Sequence, residues 1–412
     1  MTNAHPASSL PAADRTSGLA RLAAFTPAMG RDYTVSRNHD FGPENRENVS
    51  ALSAHVRHRL VLEEELVRAA LITHGAGAAE KFIQEVCWRT YWKGWLEMRP
   101  SVWSEYQGLR DDAFTRLERY GDLRKRYEDA VAGRTGIACF DAWAEELIAT
   151  GYLHNHARMW FASIWIYTLK LPWELGADHF LRHLIDGDAA SNTLSWRWVG
   201  GLHTPGKTYL ARASNINKFS NGRFAMHGWQ LADDAPPLEA DIVHPEPQML
   251  APADRPDPAL PTLLLIHEED LSPESWGVES LDLKAITSLE ALAARSPLPI
   301  GERAAAFTIS ALEDGVRRSM AHFSIAFAGD AGGQGLAALA RAQGARQIVT
   351  MRAMTGPLKD RLGAERAALD EAGISLVELR RDWDRAFHPH AQRGFFKLKE
   401  TIPRVLTELG IR

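Results

Sequence analysis

Between residues 231 and 260 the chain holds seven prolines and seven acidic residues, among them Asp233, Asp234, Pro236, Pro237, Pro245, Pro247, Asp254, Pro256, Asp257 and Pro258. Each proline removes a backbone donor and fixes φ, so a run this dense cannot lie inside a helix or a central strand. The segment reads as a linker. It divides the chain into residues 26–230 and 261–412, each long enough to bury a core of its own.

Before the linker, apolar residues recur three and four positions apart, as in Leu60, Leu66, Val67, Ala70, Leu71 and in Phe82, Val86, Tyr91, Trp95. That period predicts helices throughout, with stops at Gly75 and Gly77, Pro100, Gly151 and Pro172. After the linker, short apolar runs at 263–266, 278–283, 324–328, 347–351 and 374–379 alternate with amphipathic stretches at 336–343 and 358–371. Strands alternating with helices predict a doubly wound, Rossmann-like parallel sheet. The expected fold is therefore an all-helical domain followed by an α/β domain. Residues 1–25 lack the apolar run of a secretory signal and read as a disordered tail.

Composition enters where it excludes function. Lys+Arg 47 against Asp+Glu 52 gives a net charge of -5, so nucleic-acid binding requires a local patch. Cys87 and Cys139 are the only cysteines and form no CxxC pair, which excludes a disulfide scaffold, a structural zinc site and a four-cysteine iron–sulfur cluster. The uncharged stretch 159–169 is too short to span a bilayer. A soluble, cytoplasmic protein with no membrane partner is expected, and a monomer. Of 13 tryptophans, 11 lie between Trp88 and Trp229, so the helical half is chemically distinct from the rest.

The densest cluster is LIDGDAASNTLSWRWVGG at 184–201, which contains Asp186, Asp188, Asn192, Trp196 and Trp198. Two carboxylates flanking one glycine suit a backbone that turns against a polar ligand; a helix cap followed by a buried aromatic pair is the alternative. His179 and His183 stand four apart, but no HExxH signature accompanies them and no metal site is expected. In FIQEVCWRTYWKGW, Phe82, Glu85 and Arg89 share one helical face, with Trp88 beside Glu85 and Trp92 one turn on. A tryptophan stripe is ordinary core, whereas a Glu and an Arg on an apolar face require a partner or a ligand. TGYLHNHARMWFASIW places Asn155, Arg158 and Met159 on a further helix, with capped core as the alternative. From 189 to 230 the basic residues Arg197, Lys207, Arg212, Lys218 and Arg223 occur with no acidic one, interleaved with Trp196, Trp198, Tyr209, Phe219 and Phe224. A solvated loop accounts for this, and so does a surface where cations meet phosphates and rings meet bases.

In this order and spacing, LIDGD with ASN and WRW, TGYLHN and EVCWR resemble the flavin-binding helical domain of the DNA photolyase and cryptochrome family, over residues 33–224. The resemblance implies FAD as cofactor. Tyr33 in YTVSRN and Ser50, Leu52 and Ser53 in VSALS match positions that hold its phosphates and ribityl chain. Phe82, Arg89, Asn155, Arg158, Asp186 and Asp188 match further flavin contacts, and Asn192 the residue facing the reactive ring nitrogen. The resemblance also implies a cavity lined by Glu85, Trp88, Asn155, Met159 and Trp198, which receives a pyrimidine dimer flipped out of DNA. Trp88 and Trp198 would be its flat walls, while Glu85 is expected to have a raised pKa and to donate a hydrogen bond to a dimer carbonyl. Electrons would reach the flavin through Trp196 and Trp173; the outer position of that chain falls on Ala130, with Tyr127 or Trp143 as substitutes. Arg197, Lys207, Arg212 and Lys218 are the expected DNA contacts. Two further departures are Glu145 in DAWAEEL, where the family has Arg, and a loop after Trp198 without the common Asn-Pro pattern.

The half after the linker resembles the same family's α/β antenna domain. LLLIHEEDL is similar to its first strand, FAGDAGGQGLAALARAQGARQIVTMRAM to its third strand, helix and fourth strand, and GISLVELRRDWD with RGFFKLKETIPRVL to its end. That domain ordinarily comes first, so the chain resembles a circular permutation; whether an antenna chromophore binds is left open. The implied activity is light-driven splitting of cyclobutane pyrimidine dimers in damaged DNA, a carbon–carbon lyase reaction. A cryptochrome-like photosensor that binds FAD without repair is the alternative, and a histidine/aspartate metal hydrolase the non-flavin rival.

Overall fold

The computed structural model describes residues 10–239 and 245–412. Among the described residues up to 239 only helices and turns form, as the three-to-four period requires. Helix Glu63–Glu97 is the spine of this half. It bends at Gly75, whose φ of 69° and ψ of 164° are non-helical, so the stop expected there is a kink between two helical stretches. Gly151 closes helix Ala138–Thr150 in the left-handed conformation, its N–H bonded to the Leu147 carbonyl. Helix Trp173–His183 starts directly after Pro172. The tail expected over 1–25 is helical from Arg15. Asp14 caps helix Arg15–Phe25 by accepting from the Ser17 N–H at 2.7 Å, and Leu22 and Phe25 enter the core; residues 1–9 lie outside the described chain.

Strands β1 (Thr262–His267), β2 (Leu283–Leu289), β3 (Phe327–Asp330), β4 (Gln347–Met351) and β5 (Ser375–Leu379) form one parallel sheet in the order β3-β2-β1-β4-β5. Leu263 pairs with Ala285 on one side and Ile348 on the other. β1, β4 and β5 fall on the expected apolar runs, and β3 begins late in its run. β2 does not lie at 278–283. Its buried stretch includes Thr287 and Ser288, whose hydroxyls donate to the Gly329 carbonyl at 2.8 Å and the Asp330 carboxylate at 3.0 Å. Hydroxyls satisfied inside the sheet disguise a buried strand as a polar segment.

The strand order reverses between β1 and β4, and doubly wound sheets open a crevice at the carboxyl ends of the strands there. Here the helical half occupies it. Glu268, just after β1, accepts from Arg57 at 2.7 Å and from Arg295 at 2.8 Å. Asp270 accepts from Arg381 at 2.5 Å and faces Arg59 at 3.4 Å; Arg59 donates to Asp384 at 2.6 Å. All of these side chains are buried. Removing one partner from such a buried pair would leave an uncompensated charge, so the docking of the two halves depends on all of them.

Residues 245–260 have no regular secondary structure but are held in place: Gln248 N–H donates to Met98 O, Asp254 N–H to Glu378 O, and Arg99 Nε to Pro245 O. The chain beyond β5 returns to the helical half. Trp383, Phe387, Phe395, Leu398, Ile402 and Val405 share the hydrophobic core of the helical half. Residues 382–411, read with the sheet, thus pack against the tryptophan face of helix Glu63–Glu97. The approach is close enough that a Cβ on Gly94 would lie 3.0 Å from His388 Cα.

Candidate functional site

Helix Glu63–Glu97, helix Asn155–Ser163 and the turn before helix Ala189–Val199 converge on one charged cluster. Arg158 donates to Asp186 at 3.0 Å, while Arg89 lies 3.9 Å from Asp186 and 4.0 Å from Asp188. Lys93, one helical turn beyond Arg89, stands 3.4 Å from Asp188. Burial alone would raise the pKa of both carboxyls, but Arg158 and Arg89 hold Asp186 below its ordinary value, and Lys93 and Arg89 hold Asp188 well below it. Asp188 also caps its helix, accepting from the Ser191 N–H at 2.7 Å. The helix cap that was the alternative to a ligand-binding turn is therefore present at Asp188.

The cluster is not closed. Arg89 Nη1 is buried with no hydrogen-bond partner, and a buried guanidinium donor left unpaired is costly unless a ligand accepts from it. Asn192 spends its amide N–H on the Ala177 carbonyl at 2.7 Å, which orients its side chain. Nearby, Tyr33 and Phe82 meet edge-on with centroids 5.3 Å apart. In VSALS, Leu52 is buried and Ala51 takes a left-handed φ of 54°, an uncommon conformation for a residue with a Cβ. Arg21 fastens this turn by donating to the Ser50 and Val49 carbonyls, both at 2.8 Å. Cationic, anionic and unpaired donor groups beside a strained turn and aromatic edges fit a ligand with both phosphate and imide groups, as FAD has.

On the same helix face as Arg89, Glu85 keeps 37% of its side chain accessible and lies 3.6 Å from Arg37. Burial raises its pKa above the ordinary value, with Arg37 opposing. Trp88 is half-buried and stacks on Phe395, centroids 3.7 Å apart and planes 12° from parallel. Trp198 stacks on Tyr209 at 5.6 Å. Asn155 is exposed at the start of its helix, and Met159 is half-buried one turn later.

Trp196 is buried against Phe180 at 5.2 Å and Trp165 at 6.2 Å, and Trp165 continues to Tyr127 at 6.0 Å. Trp173 packs on Tyr106 at 5.7 Å. Trp143 stacks instead on Trp160 at 5.5 Å and donates to Asp40. Of the two substitutes for the outer electron position, Tyr127 is therefore the one joined to Trp196 ring by ring.

The basic segment divides. Lys207, Arg212 and Lys218 are exposed. Arg197 is 1% exposed and faces Glu105 at 3.6 Å, so it is a core cation and no DNA contact. Arg223 is engaged by Asp40 at 2.8 Å. His179 and His183 touch at 4.7 Å, and burial lowers the pKa of each. Among the described residues no group of three His, Cys, Asp or Glu is placed to hold a metal ion, and no helix is long and apolar enough to cross a membrane. Sequence reasoning missed Lys93, which the Arg89 spacing could have revealed, and Arg21, Arg37 and Phe395, for which no local signal exists.

Residues 82–224 match the family described as the FAD binding domain of DNA photolyase. The deoxyribodipyrimidine photo-lyase of Streptomyces griseus is 33% identical over 221 residues, 51% of this chain and 46% of that protein. A deoxyribodipyrimidine photo-lyase of Thermus thermophilus is 33% identical over 205 residues, 50% of this chain and 47% of the relative. The chain spans about half the length of the curated relatives it matches. A bacterial class III photolyase from Agrobacterium tumefaciens aligns in structure with a TM-score of 0.40 at 24% identity, over 50% of this chain and 43% of that one.

Proposed function

We propose that this chain, whose residues 82–224 match the FAD binding domain of DNA photolyase and about half of which is similar to deoxyribodipyrimidine photo-lyases, binds FAD there and is itself a deoxyribodipyrimidine photolyase. Its substrate on this reading is DNA carrying a cyclobutane pyrimidine dimer. The observation that carries the reading is the cluster in which Arg89 and Lys93, on the helix face that also presents Glu85 and Trp88, meet Asp186, Asp188 and Arg158 from neighbouring elements. Cofactor and lesion would be held by adjacent turns of one helix.

When bound and reduced, FAD supplies light absorption and one-electron chemistry. The chain's own residues do the rest. Asp186 and Asp188, kept ionised by their cations, would accept hydrogen bonds from the cofactor, while Arg89, with its free donor, and Lys93 would supply it with positive charge. Tyr33, Ser50, Leu52, Ser53 and Phe82 would frame it, and Asn192, its side chain oriented by the bond to the Ala177 carbonyl, would offer it an amide. Trp88 and Trp198 give the dimer flat apolar walls, and Asn155 and Met159 complete the cavity. Glu85, whose pKa burial raises above the ordinary value, would donate when protonated to a dimer carbonyl that gains negative charge as the ring opens.

We assign residues 26–230 to the FAD-binding domain, 231–260 to the linker and 261–412 to a displaced antenna-like domain whose last segment docks on the first. A parallel sheet of order β3-β2-β1-β4-β5 following the helical half supports a circular permutation. Lys207, Arg212 and Lys218 are the surface cations for DNA, and a soluble, cytoplasmic, monomeric enzyme fits this role. The test is illumination of the full chain with bound FAD and a dimer-containing oligonucleotide under reducing conditions. Light-dependent loss of dimers is expected; bound flavin with no loss of dimers overturns the reading in favour of a photosensor.

A further inference from the structure

The loop after Trp198 departs from the family pattern, yet a lesion-binding mouth needs elements on both sides of it. One side is built by that loop. His203 packs at 4.7 Å from Trp92 and 4.8 Å from Trp95, and its Nε2 lies 3.0 Å from the Tyr91 hydroxyl, and exposed Lys207 follows four residues later in the same loop. The other side comes from the far end of the chain. Phe395, 3% exposed, stacks on Trp88 and meets Tyr91 at 5.8 Å. The next residue, Phe396, is 74% exposed, its centroid 6.2 Å from that of Phe395. Arg393 and Lys397 are exposed beside it; Lys397 is paired with Glu400 at 2.9 Å. Arg393 has no ion-pair partner among the described residues, so its full charge faces solvent.

We propose that segment 392–399 is a DNA-binding lip, in which Phe396 enters the gap left in a duplex when a dimer flips toward Trp88 and Arg393 contacts the adjoining phosphates. Single exposed apolar residues are ordinary on protein surfaces. Phe396 differs in its setting: its neighbour in sequence is anchored on the candidate lesion wall, and an unpaired cation stands three residues away. An aromatic wedge offsets the unstacking that extrusion of a lesion entails, and stacking tolerates any flanking base. A polyanion is the partner that a bare arginine would draw in, as would the exposed Lys207 and Arg212 that follow Trp198 in sequence. The inference rests on the proposed lesion site and adds a contact from outside the helical half's own sequence.

The experiment measures dark binding by the full chain with FAD bound, using one duplex with a single thymine dimer and a matched undamaged duplex. Phe396→Ala should weaken binding of the dimer duplex about tenfold and that of the undamaged duplex far less, with flavin absorbance unchanged; Phe396→Trp should restore it. Arg393→Ala should weaken both and reduce the salt dependence by about one phosphate contact. A Phe396→Ala protein that binds the dimer duplex as tightly as wild type overturns the lip and leaves the repair reading intact. A wild-type protein with no preference for the dimer duplex overturns both.

Discussion

At Glu85 the surroundings decide whether a carboxyl acts as a charge or as a donor. Burial holds its pKa above the ordinary value despite Arg37 at 3.6 Å, and only the protonated form can donate to a dimer carbonyl. Dimer splitting should therefore fall as pH rises through that raised pKa. Glu85→Gln keeps a donor and should flatten the pH profile, while Glu85→Ala should lower the splitting yield about tenfold with FAD still bound. The check is the yield per absorbed photon across the pH range in which the protein stays folded. A wild-type profile without pH dependence would contradict the assigned role. Much of this site was legible in sequence because Phe82, Glu85 and Arg89 lie on one turn-spaced face and the Asp pair brackets a glycine. Arg197 was misread because its partner, Glu105, comes from a separate helix and buries it. Phe395 was invisible because only tertiary packing brings it to Trp88.

Among the elements, helix Trp173–His183 and helix Ala189–Val199 meet where size is least forgiving. A Cβ on Gly176 would lie 2.3 Å from Trp196 Cη2 and 3.0 Å from Trp165 Cε2, so the glycine is required by ring contact and not by a turn. Gly176→Ala should cost about 1–3 kcal/mol by overpacking, measured by urea denaturation. It should also slow light-driven reduction of the bound flavin, since Trp196 must move. Tyr127→Phe should slow the same reduction, because Tyr127, Trp165 and Trp196 form a continuous line of rings, whereas Trp143→Phe should leave it unchanged. An unaffected rate in Tyr127→Phe places the outer step elsewhere. Helix positions were easy to read because their period is long and repeated. β2 was not, because Thr287 and Ser288 satisfy their hydroxyls inside the sheet and erase the apolar run.

For the whole molecule, the crevice of the sheet and the candidate cofactor turn are joined by one side chain. Arg57 donates to Glu268 at the end of β1 and, through Nε, to the Gly187 carbonyl at 3.1 Å, between Asp186 and Asp188. Glu268 is fully buried; burial would raise its pKa, but Arg295 and Arg57 hold it well below the ordinary value. A depressed carboxyl pKa contributes stability above the unfolded-state value of about 4.3, and that contribution is lost as pH falls toward the folded-state value. Acid should therefore loosen the docking of the sheet on the helical half. Glu268→Gln leaves buried Arg295 without its counter-charge and Arg57 with only the more distant Glu269 at 3.9 Å, and should cost about 3–5 kcal/mol, seen as a lower Tm at neutral pH and a weaker dependence of Tm on acid. Because Arg57 also bonds Gly187, FAD affinity should fall in the same variant, measured by flavin release on dilution. Replacing Arg57, Glu268 and Arg295 together by methionine should recover part of the Tm, since the three charges go together and only Glu269 loses a cation 3.9 Å away, but not the FAD affinity, since the Gly187 carbonyl has lost its donor. If the triple variant recovers both, the sheet and the cofactor turn are independent, and the ion pairs serve docking alone.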